Sequence, residues 1–282
     1  MDKKIAVIVL AHKNAEYISL LCKTWPEVKF YVHIDLKSEA PYIFLKELLP
    51  VLTNLHLIKN RVAVYWGGNS QVEAMNNCLR EAFANEKNYY FHFISSECLP
   101  VKNFSFINQE WDKHLSNKII IESELSPQYA WRLKRLSPHA DTKFQRSFWG
   151  RVITKFVKWL PFLFTKSNIK PDEYLYGSQW FSIQRPELRI LLESIGSSQI
   201  KEFEGILCSD EHFFPIMIKR ANLGNRVLNN NKRYVNWGAN KNSPSYLNGE
   251  QLIKIAETGN FWFARKVQQK EALAFLDKYE KS

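Results

Sequence analysis

The sequence lacks the short motifs that mark the commonest cofactor and metal sites. It has no GxGxxG loop and no GxxxxGK[ST] loop, so the fingerprints of dinucleotide-binding and P-loop proteins are missing. Its seven histidines form no HExxH and its serines form no GxSxG elbow. No Asp-x-Asp occurs, so the carboxylate pair that commonly holds a metal against a diphosphate is missing. We therefore expect neither a metal nor a bound organic cofactor.

Cysteines are few, and long apolar runs are missing. Cys22, Cys78, Cys98 and Cys208 are widely spaced and form no CxxC, which argues against a zinc knuckle or a disulfide framework. The apolar run at 5–11 follows Met-Asp-Lys-Lys and is too short for a signal peptide or a membrane span. We expect a cytoplasmic protein from these two features.

The composition is that of a globular chain with an excess of positive charge. The chain has 282 residues, of which 45% are hydrophobic, 24% charged and 14% aromatic. This length is enough for a substantial core, and we expect one domain. Lys and Arg outnumber Asp and Glu by 39 to 28. Such a balance suits an anionic partner, which charge alone leaves open among a nucleotide-linked substrate, an acidic glycolipid, a membrane surface and nucleic acid.

Apolar strand patterns alternate with helical ones along the first half of the chain. This alternation predicts an α/β fold with an open, mixed but mostly parallel sheet flanked by helices. The predicted strands cover 5–11, 29–35, one or two segments within 55–65, 89–95 and 118–122, and the predicted helices 14–24, 42–52, 70–86, 104–115 and 186–195.

Polar residues follow five of the predicted strands. The first strand runs into Ala11-His-Lys13, the second into His33-Ile-Asp35 and the third into Trp66-Gly-Gly68; the other two end at Ser95-Ser-Glu97 and Glu122-Ser-Glu124. Ligands of open α/β sheets bind beyond the carboxyl ends of the strands. Loops are often polar without any function, but five polar strand ends together favour a site at this edge.

A candidate general base and candidate anion-binding cations lie in the second half. Ser209 is a plausible helix N-cap, which would place Asp210 and Glu211 in a first helical turn that favours ionised carboxylates. Asp172-Glu173 is a second pair of the same composition, and acidic residues in a first turn often serve only the helix dipole. Arg233 and Lys266, with Arg265, could hold a diphosphate, although surface cations without function are the commoner case.

Eight short motifs, taken in order, resemble the core-2/I-branching β-1,6-N-acetylglucosaminyltransferase family, which includes the peptide O-xylosyltransferases. Each motif is weak alone, and together they span most of the chain. They are Ala11-His-Lys13, His33-Ile-Asp-Leu-Lys-Ser38, Trp66-Gly-Gly68, Ser95-Ser-Glu-Cys-Leu-Pro100, Gly177-Ser-Gln-Trp-Phe181, Asp210-Glu211, Arg233-Tyr-Val-Asn-Trp237 and Phe263-Ala-Arg-Lys266.

The resemblance implies a GT-A-type, metal-independent inverting glycosyltransferase that uses a UDP-sugar, most simply UDP-GlcNAc. Motif order selects Glu211 rather than Glu173 as the base. The diphosphate would be bound by Arg233, Lys266 and Arg265, and the nucleotide by Ala11, Lys13, Asp35, Trp66 and Gly67. Donor and acceptor sugars would contact Glu97, Glu122, Glu124, Arg132, Arg135, Gln179 and Trp180, with Lys134 as another candidate for the acceptor-binding cation.

The sequence departs from the family pattern in ways that bear on its role. Ser95-Ser-Glu-Cys98 stands where relatives often have Ser-Gly-x-Asp, and the cysteine pattern of secreted animal members has no counterpart. The missing cysteine pattern, together with an N-terminal apolar run too short for an anchor, fits a bacterial cytoplasmic enzyme of surface-polysaccharide synthesis that works at the inner face of the cytoplasmic membrane on a glycan or lipid-linked oligosaccharide. UDP-xylose, UDP-glucose and UDP-galactose remain alternative donors. A non-catalytic basic module for an anion or a membrane is the alternative of another class.

A basic, aromatic-rich stretch interrupts the α/β pattern. Residues 144–166 read FQRSFWGRVITKFVKWLPFLFTK, which fits either an amphipathic segment on an anionic membrane or a lid packed on the core. We expect one domain over 1–282, with a nucleotide-binding half at 1–124 and an acceptor half with the C-terminal clamp at 125–282. We expect no nucleic-acid partner.

Overall fold

The structure is a computed structural model that describes residues 4–114, 116–238 and 243–279. Twelve strands lie in these ranges. They are β1 (Lys4–Ala11), β2 (Lys29–Ile34), β3 (Leu55–Leu57), β4 (Asn88–Ser95), β5 (Cys98–Pro100), β6 (Ile119–Ile120), β7 (Ser123–Leu125), β8 (Leu175–Gly177), β9 (Ser182–Gln184), β10 (Val227–Leu228), β11 (Arg233–Val235) and β12 (Phe263–Arg265).

Eleven α-helices lie in the same ranges. They are α1 (Ala15–Thr24), α2 (Glu39–Glu47), α3 (Asn69–Ala84), α4 (Phe104–Lys113), α5 (Ala130–Lys134), α6 (Phe148–Trp159), α7 (Arg185–Ser194), α8 (Ser197–Glu202), α9 (Phe213–Arg220), α10 (Gly249–Glu257) and α11 (Gln269–Tyr279). None of the helices in the described ranges is long and apolar enough to cross a membrane.

A seven-stranded sheet runs through the centre in the order β10-β6-β9-β4-β1-β2-β3. Neighbouring strands are parallel except at β9, which is antiparallel to both β4 and β6. The predicted fold class, an open and mostly parallel mixed sheet with flanking helices, is confirmed. The boundaries differ most at two elements: β3 covers only part of the predicted 55–65 region, and α2 begins and ends earlier than the predicted 42–52 helix.

Both faces of the central sheet are buried. Val7 and Val9 of β1 pack into one hydrophobic cluster, while Ala6 and Ile8 pack into the cluster on the opposite face. This arrangement explains why β1 reads as an unbroken apolar run instead of an alternating one. The carboxyl ends of β1, β2, β4 and β6 point to the same edge, as the polar strand ends predict.

Two small sheets attach the second half of the chain to this edge. In one, β12 lies between β11, to which it is parallel, and β5, to which it is antiparallel. In the other, β7 pairs antiparallel with β8. The first sheet brings residues near position 265 to the end of β4. The proposed division at residue 124 stays a prediction.

Candidate active site

A buried carboxylate at the end of β4 gathers cations from two distant parts of the chain. Glu97 is 7% exposed, and its Oε1 accepts a hydrogen bond from the Tyr246 hydroxyl at 2.7 Å. Lys13 Nζ lies 3.0 Å from Oε1, and Lys266 Nζ lies 3.3 Å from Oε2. Burial by itself raises the pKa of Glu97, but Tyr246 and the two lysines outweigh burial and lower the pKa to about 2. Glu97 is therefore ionised at neutral pH and holds both ammonium groups at the strand end.

Arg265 joins this group from β12. Arg265 lies opposite Cys98 in the antiparallel pair of β12 and β5. The Nη1 of Arg265 donates a hydrogen bond to the Ser95 hydroxyl. Its guanidinium lies over the ring of Trp180, 5.0 Å from the centroid. Lys13, Arg265 and Lys266 together form what we call the cation cluster. Arg265 and Lys266, two of the three predicted diphosphate-binding residues, thus lie beside Lys13, which was predicted to bind the nucleotide.

Arg233 does not belong to the cation cluster. Its side chain is in the core, where the residue is 4% exposed and the guanidinium lies 4.9 Å from the centroid of the Phe263 ring. Nη2 donates to the carbonyl oxygens of Phe93 and Phe181 at 2.9 Å each and to the Ser182 hydroxyl at 3.1 Å. Burial lowers its pKa to about 9. This geometry contradicts the predicted diphosphate contact of Arg233. Its buried guanidinium, which extends from β11, hydrogen-bonds to β4 and to the start of β9.

The ends of β1 and β2 form a second polar corner. The Asp35 N–H donates to the Ala11 carbonyl at 2.8 Å, and Lys37 Nζ lies 2.8 Å from both carboxylate oxygens of Asp35. His12 connects this corner to the cation cluster. Its pKa is lowered first by burial of part of the ring and then by Lys13, while Glu97 and Asp35 oppose this. The predicted nucleotide-binding residues Ala11, Lys13 and Asp35 are thus brought together.

The turn after the third predicted strand contacts the turn that carries the candidate base. Gly67 has a φ of +65°, and its carbonyl accepts a hydrogen bond from the Cys208 N–H at 2.8 Å. A Cβ at Gly67 would lie 3.0 Å from Gln145 Nε2 and 3.3 Å from Cys208 Sγ, so a side chain there would press on both neighbours. Trp66 is 56% exposed, with the Arg146 guanidinium 5.0 Å from its ring centroid.

Glu211 lies in a short 3-10 turn, Ser209–Glu211, instead of the first turn of an α-helix. Cys208 precedes this turn with a φ of +53°, and α9 begins only at Phe213. The predicted N-cap role of Ser209 is therefore wrong. Its hydroxyl oxygen is buried and has no hydrogen-bond partner among the described residues.

The carboxylate of Glu211 pairs with Arg132 from α5. Arg132 Nη1 lies 2.7 Å from Glu211 Oε2, and the Glu211 side chain keeps 31% of its surface exposed. Burial raises the pKa of Glu211, and Arg132 opposes this rise. Burial, and then the charge of Glu211, also raise the pKa of Asp210. Glu211 is thus a partly accessible carboxylate whose environment favours proton uptake more than that of an ordinary surface glutamate.

The structure distinguishes the candidate acceptor-binding cations. Arg132 lies over the Tyr129 ring at 4.5 Å, and Tyr129 stacks on Tyr176 with ring centroids 4.3 Å apart. Arg135 instead forms a backbone bridge with Lys166. Of the two predicted arginines, Arg132 is therefore the one beside the candidate base.

Three other predicted sugar-binding residues, Glu122, Glu124 and Gln179, lie on or next to the paired strands β7 and β8. Glu122 accepts the Ser178 N–H at its carbonyl, and its carboxylate accepts Asn231 Nδ2 at 2.8 Å. Glu124 is exposed on β7, opposite Tyr176 of β8. Gln179 Nε2 is buried and has no hydrogen-bond partner in the part of the chain that the structure describes.

Residues 176–180 border both charged groups. The charge of Glu211 raises the pKa of Tyr176, after the larger effect of burial, whereas the Trp180 ring contacts Arg265. The candidate base and the cation cluster are therefore separated by one short segment at the same edge of the sheet.

Sequence reasoning missed several residues of this edge. His12 and Lys37 lie inside the motifs quoted above, so their position next to strand ends was a usable signal. Tyr246 lies outside the quoted motifs and carried no signal, although its hydroxyl donates a hydrogen bond to Glu97. No group of three or more His, Cys, Asp or Glu placed to hold a metal is present within 4–114, 116–238 and 243–279.

Comparison with known proteins finds a matching family model and distant relatives. The model described as "Branch: Core-2/I-Branching enzyme" matches residues 5–258. Xylosyltransferase sqv-6 of Caenorhabditis briggsae is 21% identical over 260 residues, which cover 83% of this chain and 28% of that protein. Xylosyltransferase oxt of Drosophila melanogaster is 20% identical over 235 residues, covering 75% of this chain and 23% of that protein.

The chain thus spans about a quarter of the length of these curated relatives. Among solved structures, that of 4-diphosphocytidyl-2C-methyl-D-erythritol synthase overlaps 77% of this chain and 100% of its own, with 9% identity and a TM-score of 0.36. A TM-score this low does not support an argument about this chain.

Proposed function

The chain belongs to the Core-2/I-branching enzyme family, and on that basis we propose that it is a glycosyltransferase that moves a sugar from a UDP-sugar to a hydroxyl of a glycan or protein acceptor. The observation that carries the proposal is the pairing of two groups at one sheet edge. One is the cation cluster around Glu97, and the other is the Glu211–Arg132 pair. A transfer from a nucleotide diphosphate needs both a site for an anionic leaving group and a base for the acceptor.

In the proposed reaction, Glu211 accepts the proton of an acceptor hydroxyl. The hydroxyl oxygen then forms a bond to the anomeric carbon from the face opposite the leaving group, and the bond from that carbon to the diphosphate oxygen breaks. The sugar is transferred with inversion, UDP leaves with the bonding electron pair, and Glu211 keeps the proton. A positioned base of this kind typically contributes about 10²–10⁴ in rate.

The cation cluster supports metal-independent departure of UDP. Negative charge grows on the diphosphate as it leaves, and preorganised cations stabilise such charge. Arg265 offers a planar guanidinium, while Lys13 and Lys266 offer ammonium groups that Glu97 already orients. We propose that these three residues do what a divalent cation does in metal-dependent transferases.

We propose UDP-GlcNAc as the donor, with UDP-xylose as the second candidate. The family resemblance of the motifs supports UDP-GlcNAc, whereas the names of the two invertebrate relatives support xylose. We propose further that the enzyme acts in bacterial surface-polysaccharide synthesis in the cytoplasm. The four buried and free cysteines support a reducing compartment.

A donor panel with a matched pair of variants tests the proposal. Release of UDP from UDP-GlcNAc, UDP-xylose, UDP-glucose and UDP-galactose is measured with an acceptor mixture, in EDTA and in excess magnesium. We expect one donor to be preferred and its turnover to survive EDTA. Glu211→Gln should lower kcat by about 10²–10⁴, whereas Glu204→Gln, at an exposed position nearby, should leave it unchanged.

Two outcomes would contradict the proposal. Full turnover by a folded Glu211→Gln variant would remove Glu211 from the role of base. Turnover that stops in EDTA and returns with magnesium would remove the cation cluster from the role of metal substitute. Thermal unfolding of each variant shows whether a loss of rate reflects a loss of fold.

A further inference from the structure

The helix α6 carries its apolar side chains on the side that faces away from the protein. Phe148, Val152, Phe156 and Trp159 recur at helical spacing and share one face, with Trp149 beside them. Trp149 is 70% exposed and Trp159 is 77% exposed. This set of five residues is called the outer face of α6. Val152, Phe156 and Trp159 also line a groove of about 470 Å³.

The side of α6 that faces the protein is small and partly polar. Gly150 and Val157 are its buried residues. A Cβ at Gly150 would come within 2.0 Å of the Phe144 carbonyl oxygen, so only glycine allows this approach. Thr154 bonds the Gly150 carbonyl and the His139 ring. A surface helix of a globular protein normally turns its apolar stripe inward, and α6 has the opposite arrangement.

The charge around this face has one sign. From position 142 to 171 the chain contains seven basic residues and no acidic one. Arg151, Lys155 and Lys158 of α6 are exposed and flank the outer face. The apolar surface continues beyond the helix end, where Phe162 and Leu163 are exposed as well. Aromatic side chains bordered by lysine and arginine are typical of helices that lie in the interface of an anionic membrane.

We propose that the outer face of α6 docks on an anionic lipid bilayer. The apolar side chains enter the boundary between headgroups and acyl chains, and Arg151, Lys155 and Lys158 contact the anionic headgroups. This arrangement buries a large exposed apolar patch and neutralises a basic segment at the same time. A protein partner would need an acidic border matched to three cations, whereas an anionic lipid surface supplies negative charge all around the face.

Docking in this orientation places the bilayer beside the candidate active site. Lys158 Nζ lies 5.8 Å from the centroid of the Trp131 ring, and the next residue, Arg132, pairs with Glu211. Arg146, just before α6, contacts Trp66 at the other side of the site. If the proposed transfer holds, on which this step rests, the acceptor is an amphiphile whose lipid stays in the bilayer while its sugar reaches Glu211.

Vesicle sedimentation without donor or acceptor tests the docking itself. We expect the full chain to bind phosphatidylcholine–phosphatidylglycerol vesicles and to bind pure phosphatidylcholine vesicles at least tenfold more weakly. The Trp149→Ser/Trp159→Ser variant should lose at least tenfold in partition coefficient. Arg151→Glu/Lys155→Glu should lose more, since each basic residue near an anionic surface contributes about fivefold.

Matched changes outside this segment serve as controls. Val51→Ser removes another highly exposed apolar side chain, and Lys87→Glu reverses another exposed charge. Both should bind vesicles like the unchanged chain. All four altered residues on α6 are exposed, so their variants should keep the thermal midpoint of the unchanged chain.

Three results would overturn the docking proposal. They are equal binding to both vesicle types, retained binding in both α6 variants, and a dimer in light scattering that Trp149→Ser/Trp159→Ser abolishes while vesicles are not bound. The last result would assign the outer face to a second copy of the chain.

A separate assay tests the amphiphilic acceptor. One acceptor sugar is offered as a soluble glycoside and as a glycolipid in anionic vesicles. We expect Trp149→Ser/Trp159→Ser to lose about tenfold in kcat/KM with the vesicles only; equal loss with both forms would refute this step. Since the vesicle-binding assay needs no turnover, failure of the proposed transferase activity is distinguishable from failure of docking.

Discussion

Replacing Glu97 with glutamine would test the cation cluster through the pH dependence of stability. The folded-state pKa of Glu97 is about 2, against a usual glutamate value of 4.5. One pKa unit corresponds to about 1.4 kcal/mol, so the gap corresponds to about 3.4 kcal/mol of stabilisation at most. Because the folded-state pKa is the lower one, this stabilisation is present above the unfolded-state pKa and is lost as the pH falls toward the folded-state pKa.

The measurement is urea unfolding of the unchanged chain and of Glu97→Gln over a pH series. The difference in unfolding free energy between the two proteins should be largest near neutral pH. Relative to its value at about pH 6, this difference should be smaller by about 0.8 kcal/mol at about pH 4 and by about 2 kcal/mol at about pH 3. Comparing the two proteins cancels the titration of groups that both of them share.

Glu204→Gln, at an exposed position outside the cation cluster, serves as the matched reference variant. A difference that stays constant with pH for Glu97→Gln would refute the reasoning. It would mean that Lys13, Lys266 and Tyr246 do not hold the carboxylate in its ionised form.

Three further predictions concern Arg132, the cations Arg265 and Lys266, and the core residue Arg233. Arg132→Gln should move the acidic limb of the pH profile of kcat/KM to higher pH. The reason is that Arg132 opposes the rise in the pKa of Glu211, and the base works only when it is ionised. If the limb did not move, Arg132 would have no effect on the ionisation of the catalytic base. Arg265→Met should weaken UDP binding about tenfold in calorimetry with little loss of stability, and Lys266→Met should weaken it about as much while also losing part of the stabilisation that the lysine gives Glu97. Arg233→Met should do the reverse, lowering the unfolding free energy by about 2–4 kcal/mol with unchanged UDP affinity in the folded protein.

The main sheet could be predicted because its strands carry strong local signals. β1 is an apolar run too short for a buried helix, and the polar residues after β1, β2 and β4 mark the edge where parallel strands end. These signals depend on chain order and composition alone. The choice of Glu211 as the base rests on its position among motifs and stays a prediction; in the structure Arg132 lies next to it.

The failures concern local geometry that only packing decides. Arg233 begins the short strand β11 and Lys266 directly follows the short strand β12. The Arg233 guanidinium nevertheless enters the core, whereas the Lys266 ammonium group faces Glu97. In a three-residue strand, the direction of a side chain depends on which neighbours the sheet supplies. The Ser209 cap failed for a similar reason, because the left-handed turn at Cys208 replaces the first helical turn.

The hydrogen bond between Gly67 and Cys208 limits how this site can vary. It joins the turn that carries Trp66 to the turn that carries Glu211, although 140 residues of chain separate them. An insertion or deletion in either turn would displace both side chains together. Ligand preference can therefore change more easily through substitutions of exposed side chains around the site than through changes in the length of the Trp66 turn or the Glu211 turn.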